Sequence, residues 1–303
     1  MPTTHRLQLV GPRGEPVQLW RTLRSHGLTE LPPNQRDEDR RTLTVAMVIP
    51  GAGPRRVTLA AGSDDAAGIT VSGRALSRSQ IQAVDALLRR MLCLDTDLSG
   101  LYRKIARDRD LRWATAGAGR MMRSPTVFED VMKTICTTNC AWSGTQRMVG
   151  AIVGELGEDA GGGLRTFPTP ERMADAPDAF YRDVARAGYR GAYLQEVARL
   201  VATGTIDLEG LLARPGAPSD DEVRETLLEL PGVGPYAASH IMMLLGRYRP
   251  LILDSWTRPT YAARSGAAAD DAAIEHRFAR YGEFAGLAFW LYLTKDWVSD
   301  GDG

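Results

Sequence analysis

The chain changes rhythm near Ser77. Before it, residues 5–10 (HRLQLV), 42–49 (TLTVAMVI), 55–60 (RRVTLA) and 69–73 (ITVSG) are short runs dominated by Val, Ile, Leu and Thr, parted by GPRGEP, PGAGP and AGSDDAAG. Such runs with turn chemistry between them predict a small antiparallel sheet. Pro16 ahead of VQLWRTLRSHG predicts a helix with proline near its first turn and Gly27 at its end, lying on one face of the sheet. Ser77 then caps a segment whose apolar positions, Ile81, Val84, Leu87, Leu88, Met91 and Leu92, recur at three and four residues, so a helix follows. Beyond it the apolar stripes keep helical period through DLSGLYRKIARD, VFEDVMKTICTT, SGTQRMVGAIVGEL, AFYRDVARAG, AYLQEVARLVATG, SDDEVRETLLEL, PYAASHIMMLLGR and FAGLAFWLYLTKDW. GEDAGGGLRTFPTP reads as a loop, with ERMADA as a short helix behind it. The expected class is α+β, mostly α: a small N-terminal antiparallel sheet followed by a large helical body.

Composition narrows the functional classes. The 303 residues suffice for a sizeable core, and no apolar run is long enough for a membrane span. The start, MPTTHRLQLVGPRG, lacks a secretory layout, so a cytoplasmic protein without membrane contact is expected. Cys93, Cys136 and Cys140 are too few for a disulfide framework or a four-thiolate cluster. His5, His26, His240 and His276 show no metal-ligand spacing, and no metal or cofactor is expected. Lys plus Arg and Asp plus Glu are balanced at 37 each, which by itself gives no footprint for a polyanion.

One segment carries chemistry: Leu230-Pro231-Gly232-Val233-Gly234-Pro235-Tyr236-Ala237-Ala238, between two helical patterns. Glycines spaced by one residue after a proline make a tight hairpin, and its amides together with the positive end of the following helix suit a phosphate oxygen. A plain corner between helices is the alternative. Asp254 follows Gly232 by 22 residues and closes the apolar run PLILD before a new helical pattern. It suits a helix N-cap, and equally a carboxylate facing a cleft beside developing positive charge.

LPGVGPYAASHIMMLLGRYRPLILDSWTR resembles the helix-hairpin-helix plus Gly-Pro-Asp signature of the HhH-GPD DNA glycosylases, the base-excision repair superfamily. RSPTVFEDVMKTI (123–135) is similar to the family's first core helix, and RTFPTPERMADA (165–176) to a loop of alkyladenine-type members. GYRGAYLQEVARL (188–200) resembles a segment that 8-oxoguanine glycosylases carry, and LCLDTDLSGLYRKIARD (92–108) the linker behind the sheet. These segments fall in the family's order over most of residues 80–297. The resemblance implies an N-terminal sheet domain (1–95), a central helical domain with the hairpin (119–253) and a second helical subdomain (96–118 with 254–303). It implies a cleft between the two helical parts and double-stranded DNA with a damaged base as the partner of a monomer.

Carried over residue by residue, the resemblance makes Gly232, Val233, Gly234 and Tyr236 the phosphate grip and Asp254 the catalytic carboxylate. Bifunctional members place a Schiff-base lysine where this chain has Tyr236, so a monofunctional enzyme is expected, one that leaves an abasic site. The family's four-cysteine cluster after the catalytic Asp is missing, which separates the chain from the iron–sulfur branch. Asn139 lies where 8-oxoguanine enzymes put the asparagine that fills the gap left by the flipped nucleotide. It also suits local closure of the preceding helix. The arginine those enzymes use a few residues on is Gly144 here. Trp142, Tyr189, Tyr236, Trp256 and Trp290 are the candidates for stacking on a cationic alkylated base, with Trp256 favoured and His240 one turn beyond Tyr236. Phe289, Trp290, Tyr292 and Trp297 read rather as a buried stripe. A glycosylase of alkylated purines is the leading expectation. An 8-oxoguanine or other lesion-specific enzyme and a catalytically silent hairpin DNA binder are the alternatives.

The charge balance then changes meaning. Acidic residues gather at Asp37, Glu38, Asp39, Asp64, Asp65, Asp220, Asp221, Glu222, Asp270, Asp271, Asp300 and Asp302. Arg120, Arg123, Arg147, Arg190, Arg247, Arg249 and Arg258 are the expected basic face toward DNA.

Overall fold

The computed structural model describes residues 1–62, 65–268 and 270–298; Asp64, Asp300 and Asp302 lie outside them. Five strands, β1 (Thr3–Gln8), β2 (Asn34–Asp37), β3 (Thr42–Ile49), β4 (Gly53–Ala61) and β5 (Ala66–Val71), form one antiparallel sheet in the order β1-β5-β4-β3-β2. Register places Leu43, Leu59 and Ile69 in one cross-strand row and Val45, Val57 and Val71 in the next. All six are buried, because the two-residue period of a strand sends these positions to one face. The fifth strand was not legible: Asn34–Asp37 is polar, and pairing with residues 42–45 of β3 makes it a strand.

The helices are α1 (Leu19–Leu23), α2 (Arg78–Met91), α3 (Ser99–Ile105), α4 (Val127–Thr137), α5 (Trp142–Leu156), α6 (Pro170–Ala174), α7 (Arg190–Ala202), α8 (Asp220–Glu229), α9 (Pro235–Leu244), α10 (Thr257–Ser265), α11 (Asp271–Ala279) and α12 (Ala285–Thr294). Ser77 caps α2 in a reciprocal box with Gln80, and Val84, Leu88 and Met91 turn onto the sheet core beside Leu19, Trp20 and Leu23 of α1. Two departures from the expected elements stand out. Pro16 bridges Val10 ahead of α1 instead of opening it, and Phe180–Val184, expected inside a longer helix, is one wide π turn.

A second core holds the helices. α12 is buried at every position, and α4 is buried from Val127 to Cys136, including Glu129, Asp130 and Lys133. Residues 117–123 tie this body to the sheet. Gln18 N–H donates to the Gly117 carbonyl (3.1 Å), Met122 N–H to Ser25 Oγ (2.9 Å) and Arg123 N–H to the Met91 carbonyl (2.8 Å). That seam fixes the connection after α1, residues 25–27, against the helical body, where it forms part of the cleft.

Candidate active-site cleft

The hairpin lies between α8 and α9. Gly232 has φ +83°, and a Cβ there would come within 2.8 Å of the Tyr193 ring, so both backbone and space require glycine. Gly234, the N-cap of α9, has extended backbone and open space around it, and Pro235 occupies the first helical position. Val233 turns inward: its N–H donates to the Leu230 carbonyl (3.1 Å) and its side chain is buried. It closes the turn, which corrects its expected place in the phosphate grip. The first-turn amides of α9, beginning at Tyr236, have no intrahelical acceptors, as at any helix start.

Asp254 sits where the run from Leu251 meets α10. Its Oδ1 accepts from the N–H groups of Trp256 (2.8 Å) and Thr257 (2.6 Å), and its own N–H donates to Thr257 Oγ1 (2.8 Å). This reciprocal bonding holds the half-buried carboxylate in one orientation. The cap and cleft readings of this residue are therefore compatible. Tyr236 is near enough that Asp254's charge, after burial, contributes to raising its phenol above the ordinary value.

An aromatic cluster continues from there. His240 is 6.3 Å from Tyr236 and 6.3 Å from Trp290, ring centre to ring centre, and Trp256 is 5.6 Å from both Trp290 and Trp297. Trp290 is buried, and its indole N–H donates to the Ser25 carbonyl (2.8 Å). Phe289 and Tyr292 pack instead with Tyr261 and Phe278, as a buried stripe should. Trp290 and Trp297 leave that stripe for the cluster. His26 joins it from the N-terminal part of the chain, 5.8 Å from His240. A cavity of about 360 Å³ opens beside His26, Gly27 and Trp297, with Arg24, Arg36 and Glu30 on its walls.

Asn139 and Trp142 stand apart from this cluster. Asn139, at φ +46°, follows α4 on a turn whose Thr138 and Asn139 carbonyls accept from the buried Arg190 guanidinium. Its side chain reaches the Tyr189 hydroxyl at 3.5 Å, so the expected alternative of local helix closure does not describe it. Tyr189 is exposed beside Tyr193, the ring that packs over Gly232, and thus links Asn139 to the hairpin. Trp142 opens α5, and its ring lies 3.2 Å from the Cβ position of Gly27.

Several expected basic contacts are structural. Arg120, Arg190 and Arg247 are buried, and their guanidiniums are spent on backbone carbonyls and, for Arg247, on Asp220 at 2.6 Å. Arg258 forks onto Asp271 at 2.8 Å. Arg147 and Arg249 stay exposed. Lys133 is fully buried against Glu129 (2.6 Å). Among the described residues no group of three His, Cys, Asp or Glu side chains is placed to hold a metal ion.

His26 was missed by sequence reasoning, since nothing local marks it. It is distant in sequence from His240, and the seam through Met122 brings the two together.

No protein-family model matches the chain. A probable N-glycosylase/DNA lyase of Methanothermobacter thermautotrophicus is 26% identical over 161 residues, 46% of this chain and 50% of the relative. A putative DNA-3-methyladenine glycosylase of Bacillus subtilis is 25% identical over 123 residues, 40% of this chain and 41% of the relative. The chain thus spans half or less of the length of these curated relatives. Among solved structures, a 3-methyladenine DNA-glycosylase from Archaeoglobus fulgidus superposes with TM-score 0.73 at 23% identity, over 97% of this chain and all of that one. An 8-oxoguanine glycosylase/lyase of Clostridium acetobutylicum, in complex with double-stranded DNA, gives 0.63 at 18% identity over 90% and 93%. The chain therefore has the fold of the HhH-GPD DNA glycosylases that its hairpin and Asp254 segment resemble.

Proposed function

We propose that this protein is a base-excision repair DNA glycosylase that extrudes an alkylated purine from duplex DNA and hydrolyses its N-glycosidic bond without cleaving the strand. The observation that carries this reading is the oriented Asp254 carboxylate within electrostatic reach of Tyr236, at the mouth of the aromatic cluster. A base inside a duplex is inaccessible, so it must be turned out at a cost of a few kcal/mol that damage reduces. In this reading Gly232, Gly234 and the amide of Tyr236 hold a phosphate of the damaged strand. The base leaves with the bonding electrons, and Asp254 stabilises the oxocarbenium-like sugar until water adds to it. Trp256, with Tyr236 and His240, takes the base, and electron-rich rings favour a cationic one.

The monofunctional mode rests on Tyr236 at the position of the family's lysine, and on Lys133 being locked to Glu129 in the core. We also take the protein to act as a monomer, in the cytoplasm at the nucleoid, with the domain division at residues 95, 118 and 253. No helix among the described residues is long and apolar enough to cross a membrane. A second reading, excision of 8-oxoguanine or another lesion, is favoured by the proximity of Asn139 and Tyr189 on the exposed side.

Duplexes bearing 3-methyladenine, 7-methylguanine, hypoxanthine, uracil or 8-oxoguanine, treated with protein and then alkali, separate these readings. Strand cleavage is expected after alkali and on the alkylated purines. Cleavage without alkali contradicts the monofunctional mode, and preference for 8-oxoguanine moves the assignment to the second reading. Asp254→Asn is expected to stop release while keeping duplex binding; release undiminished in that variant removes the mechanism.

A further inference from the structure

Two histidines meet inside the aromatic cluster. His26 comes from the connection behind α1 and His240 from α9; they are 3% and 8% exposed, with ring centres 5.8 Å apart and planes nearly perpendicular. His26 Nε2 lies 2.6 Å from the Met122 carbonyl. A carbonyl only accepts, so Nε2 carries the hydrogen and, in the neutral ring, Nδ1 keeps a lone pair. That Nδ1 is buried without a hydrogen-bond partner, and so is His240 Nε2. Burial holds both rings well below the ordinary histidine value, His26 at about 3 and His240 at about 4; His240 itself and Lys133 push His26 further down. Unpaired buried polar atoms are rare because they cost desolvation without return, and two of them on neighbouring, perpendicular rings call for a bonding partner. His26 also lines the cavity of about 360 Å³, while Tyr236 and Trp290 flank His240.

We propose that His26 Nδ1 and His240 Nε2 form a neutral hydrogen-bonding pair that reads the edge of the extruded base, selecting purines that present an exocyclic amine there. His26 Nδ1 is the fixed acceptor for the amine, and His240 Nε2 bonds the neighbouring atom of the same edge. Neutrality matters, because an imidazolium would repel a cationic alkylated adenine that the surrounding rings attract. The inference rests on the glycosylase reading and names the substrate class within it.

The test uses the full chain with free bases, so that it does not depend on turnover. Adenine, 3-methyladenine and unsubstituted purine, which lacks the amine, are titrated while indole emission and the imaged imidazole nitrogen resonances in ¹⁵N-edited spectra are followed. We expect the two amine-bearing bases to shift the His26 and His240 ring nitrogens and to bind about tenfold more tightly than purine, the worth of one ordinary hydrogen bond. His26→Phe keeps a ring but no acceptor for the amine and should bring 3-methyladenine level with purine, whereas His26→Gln, whose side-chain oxygen can accept, should keep part of the preference. His26→Gln preserves a donor for Met122 and carries the test at that position should His26→Phe not fold. A purely structural role would weaken both classes of base alike. Equal losses, or base binding that leaves the imidazole nitrogens unmoved, overturn the inference, as does failure of every base to bind. Release from damaged duplex is read separately: release with an unchanged lesion ranking in His240→Phe sinks the pair and leaves the glycosylase reading standing, whereas no release by the unsubstituted protein sinks that reading.

Discussion

Trp290 and Trp142 both stand at the cleft, yet they are held very differently. Trp290 is 6% exposed, hydrogen-bonded through its indole to Ser25 and in ring contact with His240, Trp256 and Trp297. Trp142 is 38% exposed and packs over Gly27. The same contrast separates His240 from Asn139 and Tyr236 from the exposed Tyr189. One wall is therefore fixed by partners from α9, α12 and the connection behind α1, and its geometry is set before any ligand arrives. The other wall is more exposed, and in the proposed reading it is the surface offered to a duplex. The lesson is a division of labour: the buried wall suits discrimination, which needs fixed polar atoms, and the exposed wall suits adaptive contact with a strand.

Several measurements would break or sharpen this contrast. The largest effect belongs to Asp254→Asn, which should lower base release by on the order of a hundredfold or more. Duplex affinity measured alongside should stay nearly level, because the exposed wall and hairpin are untouched; a parallel collapse of affinity would mean that Asp254 serves the fold.

Next comes pH. The folded values of His26 and His240, about 3 and about 4, lie below the ordinary 6.5. Between pH 6.5 and 4 the unfolded chain thus binds protons that the folded chain does not, and stability falls as pH drops. Buried Asp130, raised to about 6 by desolvation, binds its proton earlier in the folded state and offsets part of that loss. Removing one titrating ring in His240→Phe should shift stability relative to the unsubstituted protein by about 3 kcal/mol in the variant's favour between pH 7 and 4. Denaturant midpoints at the two pH values measure it, and parallel curves would show that His240 is not buried as described.

A smaller effect is expected at the hairpin. Gly232→Ala should cost about 1–3 kcal/mol of stability, through positive φ and collision with Tyr193. Gly234→Ala meets open space and should cost less, so equal melting temperatures for the two variants would contradict the turn geometry. The smallest change is Tyr189→Ala, expected to weaken duplex binding by about 1 kcal/mol with the lesion ranking intact. A changed ranking would show that the exposed wall also discriminates.

Much of the fold could be read along the chain because the signals are local. Alternation of apolar residues in 42–49 places one set of side chains on the core face, and Ser77 three residues before Gln80 makes a cap from adjacent atoms. The hairpin was legible for the same reason, since positive φ at Gly232 is a property of a few neighbouring bonds. Other features had no local signal. Asn34–Asp37 became a strand through its partner, and Arg120, Arg190 and Arg247, which read as a basic face, are consumed by carbonyls inside the molecule. Charge along a sequence gives sign but not depth.

The sequence by itself determined the α+β class, the Ser77 cap and the turn glycines, each a matter of short-range sterics or periodicity, while the link between hairpin and Asp254 came from resemblance to a family. Tertiary structure decided which rings meet. His26 and His240 meet because backbone bonds at Gly117, Met122 and Arg123 draw the connection behind α1 onto the helical body. Such long-range closure depends on the sum of core packing on both sides of the seam, and no window of residues contains it.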